Sequence, residues 1–133
     1  MTIAGSNTLL EVRELCVSYG DNVVVDKLSF AIHPGEALSI AGESGSGKSQ
    51  TALAIMGLLP PNAKVSGEVV FEGRNLLGAG NTLLNEYRAR RMAIVFQDPM
   101  AALNPYVTIG NQLRRILLNH GLADGAGATR RSL

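Results

Sequence analysis

The feature that most constrains this chain lies between residues 36 and 59. A short apolar run, Glu36-Ala37-Leu38-Ser39-Ile40-Ala41, leads through Gly42-Glu43-Ser44-Gly45-Ser46-Gly47-Lys48-Ser49 into an uncharged stretch, residues 49 to 59, that is rich in helix formers. The octet has the spacing G-x-x-x-x-G-K-[ST] and sits where that motif has to sit, between a buried strand and a helix. Glycines at those positions let successive backbone N–H groups turn inward as an anion-binding nest, and the helix start adds the positive end of its dipole. Lys48 then reaches the β and γ phosphates of a bound polyphosphate, and Ser49 offers a hydroxyl to Mg²⁺. Two rival glycine loops fail on the same residue. A dinucleotide loop starting at Gly45 needs glycine where Gln50 stands, and a kinase loop fails there too and needs a strand to follow.

The rest of the chain supplies more strands and helices around this unit. Residues 8 to 19 alternate apolar and polar, Gly20-Asp21-Asn22 turns the chain, and residues 23 to 32 return as an antiparallel partner. The helix after the loop is predicted to run to residue 59 and to stop at Pro60-Pro61, which cannot continue it. Residues 66 to 73 read as a further strand, 82 to 91 as a helix with Thr82 near its start, and 91 to 97 as a second buried strand. Residues 98 to 107 read as loop. Thr108 is placed to cap a helix whose Ile109, Leu113, Ile116 and Leu117 share one face and whose end is marked by Gly121. Residues 122 to 133 read as a frayed tail. Only two runs, 36–41 and 92–97, suit a parallel sheet, too few to cover both faces of one.

Composition narrows the function classes. At 133 residues, 46% hydrophobic and 17% charged, the chain has one globular domain's worth of core. Its 12 basic and 11 acidic residues leave +1, so there is no bulk field for nucleic acid or anionic lipid. Cys16 is the one cysteine, which excludes an intrachain disulfide and a multi-cysteine metal site and fits a reducing compartment. It reads as a small core residue of the first strand. No run approaches the roughly 18 apolar residues of a membrane span, and neither a signal peptide nor an anchor is expected. His33 and His120 have no partner pattern for a metal or a triad, and Arg88, Arg90 and Arg91 read as a solvated helix face.

The Walker A octet with Tyr19 ahead of it, Gly67-Glu68 opening a strand, and Val95-Phe96-Gln97-Asp98-Pro99 downstream resembles the first half of an ABC-transporter ATPase subunit. Gly47-Lys48-Ser49-Gln50-Thr51 leading to Ile55-Met56-Gly57-Leu58-Leu59-Pro60, with Phe96 to Met100 and Leu103-Asn104-Pro105, is similar to the oligopeptide and dipeptide importers, whose wording nickel and glutathione importers share. The resemblance spans about residues 8 to 120. It implies an α/β P-loop NTPase fold with an antiparallel β portion joined to a parallel core sheet, and ATP with Mg²⁺ as ligands. By the same resemblance Gly42 to Gln50 bind nucleotide, Tyr19 stacks on adenine, and Gln97 touches Mg²⁺ and the attacking water. The competing readings are a half-buried strand tyrosine and a solvated strand-end glutamine.

The loop from Asp98 to Val107 resembles the segment that receives a transmembrane permease subunit, with inward packing of Met100, Ala101, Ala102 and Leu103 as the competing reading. The implied parent is a peripheral subunit on the cytoplasmic membrane face. It hydrolyses ATP to drive import of peptides or similar solutes, and its partners are permease subunits, a second ATP-binding subunit and, indirectly, a solute-binding protein. A soluble ABC-type ATPase acting on nucleic acid or ribosomes is the alternative, opposed by the near-neutral charge. The family's LSGGQ signature, Walker B acidic pair and switch histidine do not occur by residue 133. The expectation is therefore an N-terminal part that binds phosphate without competent turnover.

Overall fold

The computed structural model describes residues 8–88, 90–98 and 103–121, in two compact units, Met1–Glu86 and Tyr87–Leu133. The first unit is built on a four-stranded antiparallel sheet. Its strands are β1 (Leu10–Tyr19), β2 (Asn22–Ile32), β3 (Ala63–Phe71) and β4 (Arg74–Asn75), in the order β2-β1-β3-β4. Between β2 and β3 lies the helix α1 (Lys48–Ile55), and after β4 the short helix α2 (Asn81–Tyr87).

The alternation in residues 8 to 19 carries one extra residue, and the sheet absorbs it as a bulge. Val12 and Leu15 both face the core although three positions apart, because the register shifts between them and Glu14 takes a φ of 47°. β2 makes the matching adjustment at Lys27, φ 45°, which keeps Val25 and Leu28 opposite Val17 and Leu15. Each bulged N–H leaves the ladder and finds a side chain: Glu14 N donates to Ser29 Oγ at 2.8 Å, and Lys27 N to Cys16 Sγ at 3.2 Å. Cys16 is thus only half-buried and acts as an acceptor at a bulge, instead of the small core residue its strand position suggested.

Gly67 of β3 crosses this irregularity. A Cβ built there would lie 2.5 Å from the Glu14 carbonyl oxygen and 2.6 Å from that of Arg13, and its φ of +104° is one that side-chain-bearing residues avoid. The core cluster joins Val12, Leu15 and Val17 of β1 to Val25, Val69 and Ala54, so α1 closes one face of the sheet. Complete burial of each valine or leucine side chain among them contributes about 1.5–3 kcal/mol.

α1 ends four residues earlier than predicted, at Ile55. Gly57 N donates to Ala54 O and Leu58 N to Leu53 O, a paired closure that satisfies the last carbonyls before the prolines are reached. β3 begins three residues earlier than predicted because its pairing with β1 runs on to Ala63 opposite Tyr19. Glu72 and Gly73, both at positive φ, then make the two-residue turn into β4.

The parallel core strands expected at 36–41 and 92–97 are not formed. Among the described residues neither run joins a ladder, apart from one isolated parallel bridge between Arg88 and Met92. Leu38, Ile40, Val95 and Phe96 are exposed as a result. A parallel strand draws its hydrogen bonds from neighbours reached by crossover connections and its burial from helices on both faces, and the described residues supply these runs with neither.

The second unit holds the helix α3 (Ile109–Asn119). Because α2 stops at Tyr87, whose carbonyl accepts from Arg91 N and Met92 N, the arginines at 88, 90 and 91 lie beyond it and do not form a helix face. Arg90 instead donates to the carbonyl of His120, the half-buried residue that caps α3. Thr108 stands at the N-cap of α3 but makes no side-chain capping bond. Gln112 does the tying instead: its amide donates to Asn104 O and Val107 O and accepts from Asn104 N. Gly121 follows the helix end as predicted. The expected apolar socket residues Met100, Ala101 and Ala102, and the tail from 122 to 133, lie outside the described residues, while Leu103 is exposed.

Candidate functional site: a phosphate loop seated on a hairpin

The loop from Gly42 to Gly47 enters α1 with Gly47 as the N-cap residue, and two of its glycines, Gly45 and Gly47, take φ near +85° (83° and 86°). Gly47 is buried and has no room for a side chain: a Cβ there would fall 2.4 Å from Val24 O and 3.1 Å from Val25 Cγ2. The loop therefore rests directly on β2. Thr51, one turn into α1, locks the same glycine from the other side, donating from both its N–H (2.8 Å) and its buried hydroxyl (3.1 Å) to Gly47 O. Thr51 entered the sequence reading only as the last residue of Gly47-Lys48-Ser49-Gln50-Thr51, with no role of its own.

Lys48 folds back over the loop. Its ammonium donates to Gly42 O at 2.7 Å, Glu43 O at 2.6 Å and Ser46 Oγ at 3.2 Å, which uses its three protons. These neutral acceptors are ones that phosphate oxygens outcompete, since a bond between two charged groups is roughly twice as strong as one to a neutral acceptor. α1 carries no side-chain cap and no acidic residue in its first turn, so its leading N–H groups and its positive dipole end are available to an anion. Ser44, Ser46 and Ser49 are exposed, as are Glu43 and Gly42. A donor set of amides, hydroxyls and one ammonium suits a polyphosphate. No group of three or more His, Cys, Asp or Glu that could hold a metal occurs among the described residues.

A recess of about 280 Å³ flanks Lys48, bounded by Asp26, Leu28, Ile40 and Thr51. A larger cavity lies elsewhere in the same unit, about 650 Å³ between the end of α1, β3 and α2, and none of the loop residues from Gly42 to Gln50 lines it. The smaller recess is the one that adjoins the loop, with Gly42, Ser46 and Lys48 in its lining.

Tyr19 closes β1, half-buried, and its ring packs on the core cluster. Its hydroxyl donates to Gln50 Oε1 at 2.7 Å, a contact between two predicted site residues that no short-range pattern could have foretold. Thus Tyr19, Gly42 to Ser49 and Gln50 come together in the first unit. Gln97 belongs to the second and is exposed there, next to Asp98. Among the described residues no helix is long and apolar enough to cross a membrane.

Known proteins carry the same pattern. Residues 25–131 match the family model described as ABC transporter. The oligopeptide transport ATP-binding protein OppD of Salmonella typhimurium is 47% identical over 119 residues, covering 86% of this chain and 36% of that protein. OppD of Haemophilus influenzae is 49% identical over 118 residues, covering 86% and 36%. A solved chain described as the ATP binding subunit of an ABC transporter superposes with a TM-score of 0.61 at 26% identity, over 88% of this chain and 45% of that one. This chain thus spans about a third of the length of these curated relatives. Since the family match takes in both the loop that rests on β2 and the segment around Gln97, and runs over most of the sequence, the chain belongs to the ABC transporter family.

Proposed function

We propose that residues 1–133 form the N-terminal part of an ATP-binding domain that energises import of peptides or similar small solutes across the cytoplasmic membrane. The observation that carries this reading is the loop itself: two glycines in left-handed conformation, an uncapped helix start, and Lys48 curled over the carbonyls of Gly42 and Glu43. The names of the relatives, oligopeptide transport ATP-binding proteins, support the solute class.

In this reading the N–H groups of residues 43 to 50 cradle the phosphates of ATP. Lys48 leaves its loop carbonyls to neutralise the charge that builds on the β and γ phosphates, and the exposed Ser49 hydroxyl takes a place beside Mg²⁺. Mg²⁺, when bound, would supply charge neutralisation to the phosphates. Tyr19 offers its ring to the adenine, because a flat π surface is what a base stacks on. Gln97 has an amide with both a donor and an acceptor, suited to orienting the attacking water and to contacting Mg²⁺. The partners are permease subunits met through the loop after Gln97, a second ATP-binding subunit or domain, and indirectly a solute-binding protein, with the whole peripheral to the cytoplasmic face.

Lys48→Ala in the intact protein tests this. ATPase rate and solute uptake should both fall by about two orders of magnitude or more, the scale expected for losing a preorganised charge at the reacting phosphate. Activity retained within a few-fold of wild type would refute the assignment.

A further inference from the structure

The hydrogen bond from Tyr19 to Gln50 joins residues 31 positions apart, the last residue of β1 and the third of α1. Both side chains are half-buried. Tyr19 is held from three sides: its backbone pairs with Asn22 of β2 and Ala63 of β3, its ring packs on the core, and its hydroxyl meets the amide at 2.7 Å, a full-strength O–H···O distance. Gln50 stands one residue past Ser49, in the helical turn that opens the phosphate loop.

Two consequences follow from the chemistry of the pair. The phenol proton is directed at Oε1, so the hydroxyl is committed to the protein and the ring face is what remains for a ligand. The bond also ties the ring to the first turn of α1. It therefore sets the distance between an aromatic surface on the sheet and the anion-binding groups on the helix.

We propose that Gln50 is a positioning residue for the nucleobase, acting through the Tyr19 hydroxyl to hold the ring at the span a nucleoside triphosphate requires. The proposal rests on the nucleotide reading above and adds to it a division of labour: Lys48 and the loop bind the tail, while the pair tells a complete nucleotide from a bare triphosphate. Gln50 is thereby more than the next amide donor after Ser49.

The test compares ATP with inorganic tripolyphosphate, both with Mg²⁺, by calorimetry on the intact protein. The variants are Tyr19→Phe, which keeps the ring and removes the hydroxyl, Gln50→Met, which keeps the length and removes the amide, their combination, and Lys48→Ala. Tyr19→Phe and Gln50→Met should each weaken ATP binding by about three- to tenfold, the range set by one net hydrogen bond. The double variant should be no worse than the weaker single, because both remove one interaction. Tripolyphosphate affinity should stay within about twofold of wild type.

ATP affinity unchanged in Tyr19→Phe, losses that add in the double variant, or an equal loss of tripolyphosphate would each overturn the positioning role. A variant that folds poorly loses both ligands and so counts on the overturning side. The Lys48→Ala arm keeps the two levels apart. If it abolishes binding of both ligands while Tyr19→Phe is silent, only the positioning role falls; if it leaves both intact, the nucleotide reading falls first.

Discussion

β1 and the run 92–97 look alike as apolar strand-forming stretches, yet they end in opposite states. Val12, Leu15 and Val17 of β1 are 1%, 0% and 0% exposed, while Val95 and Phe96 are 88% and 49% exposed. β1 has hydrogen-bonded neighbours on both sides, β2 across a tight turn and β3 some fifty residues on, both antiparallel. The run 93–96 has none among the described residues. Apolar content marks a segment as able to be a strand. Whether it becomes one is decided by neighbours, and antiparallel neighbours come from nearby chain more readily than parallel ones.

The contrast can be broken most directly by truncating one side chain in each region. In residues 1–133, Leu15→Ala should lower the unfolding free energy by about 3 kcal/mol, because a filled site becomes a cavity. Val95→Ala should change it by less than about 0.5 kcal/mol. Urea titrations that gave the two variants similar costs would mean that the 93–96 run is buried in solution.

Gly67→Ala sharpens the account of β1 itself. The added methyl has to displace the bulge carbonyls of Arg13 and Glu14 and hold an unfavourable φ, so a loss of about 2 kcal/mol is expected. A melting curve indistinguishable from wild type would show that the bulge is free to shift.

The smallest effect belongs to the exposed face of the same strands. Arg13 donates to Glu11 at 2.8 Å and to Glu68 at 2.9 Å, and these bonds, that to Glu11 foremost, raise its pKa above the ordinary arginine value. The folded chain thus holds this proton more tightly than the unfolded chain. Any stability it brings is complete below the ordinary pKa and is lost only as pH climbs through the raised one, above the working range. Arg13→Ala should move the melting midpoint barely at all, and equally at about pH 7 and about pH 9. A shift that grew across that interval would contradict this.

What the sequence disclosed follows the same division. The glycine turn into α1 was legible because its glycines answer to local geometry, and the hairpin because its alternation and its Gly-Asp-Asn turn are short-range signals. Element ends were less legible. The stop of α1 at Ile55 depends on a backbone closure around Gly57 that competes with the more conspicuous prolines. The end of α2 at Tyr87 left three arginines off the helix to which their spacing assigned them. Least legible were contacts across long separations: the seat of Gly47 on Val24, the Tyr19–Gln50 bond, and the Gln112 amide taking over from Thr108. No periodicity encodes these, since each depends on how whole elements meet.

The seat of Gly47 has a further thermodynamic meaning. A glycine-rich segment left to itself samples many shapes, and a ligand that had to select one would lose affinity to that search. Wedged between a strand carbonyl and a buried threonine, this segment has its freedom removed during folding, before any ligand arrives. Its recognition strength is thereby tied to the hairpin beneath it: a mutation that loosens β2 far from any phosphate should register as weaker binding, with every loop residue still in place.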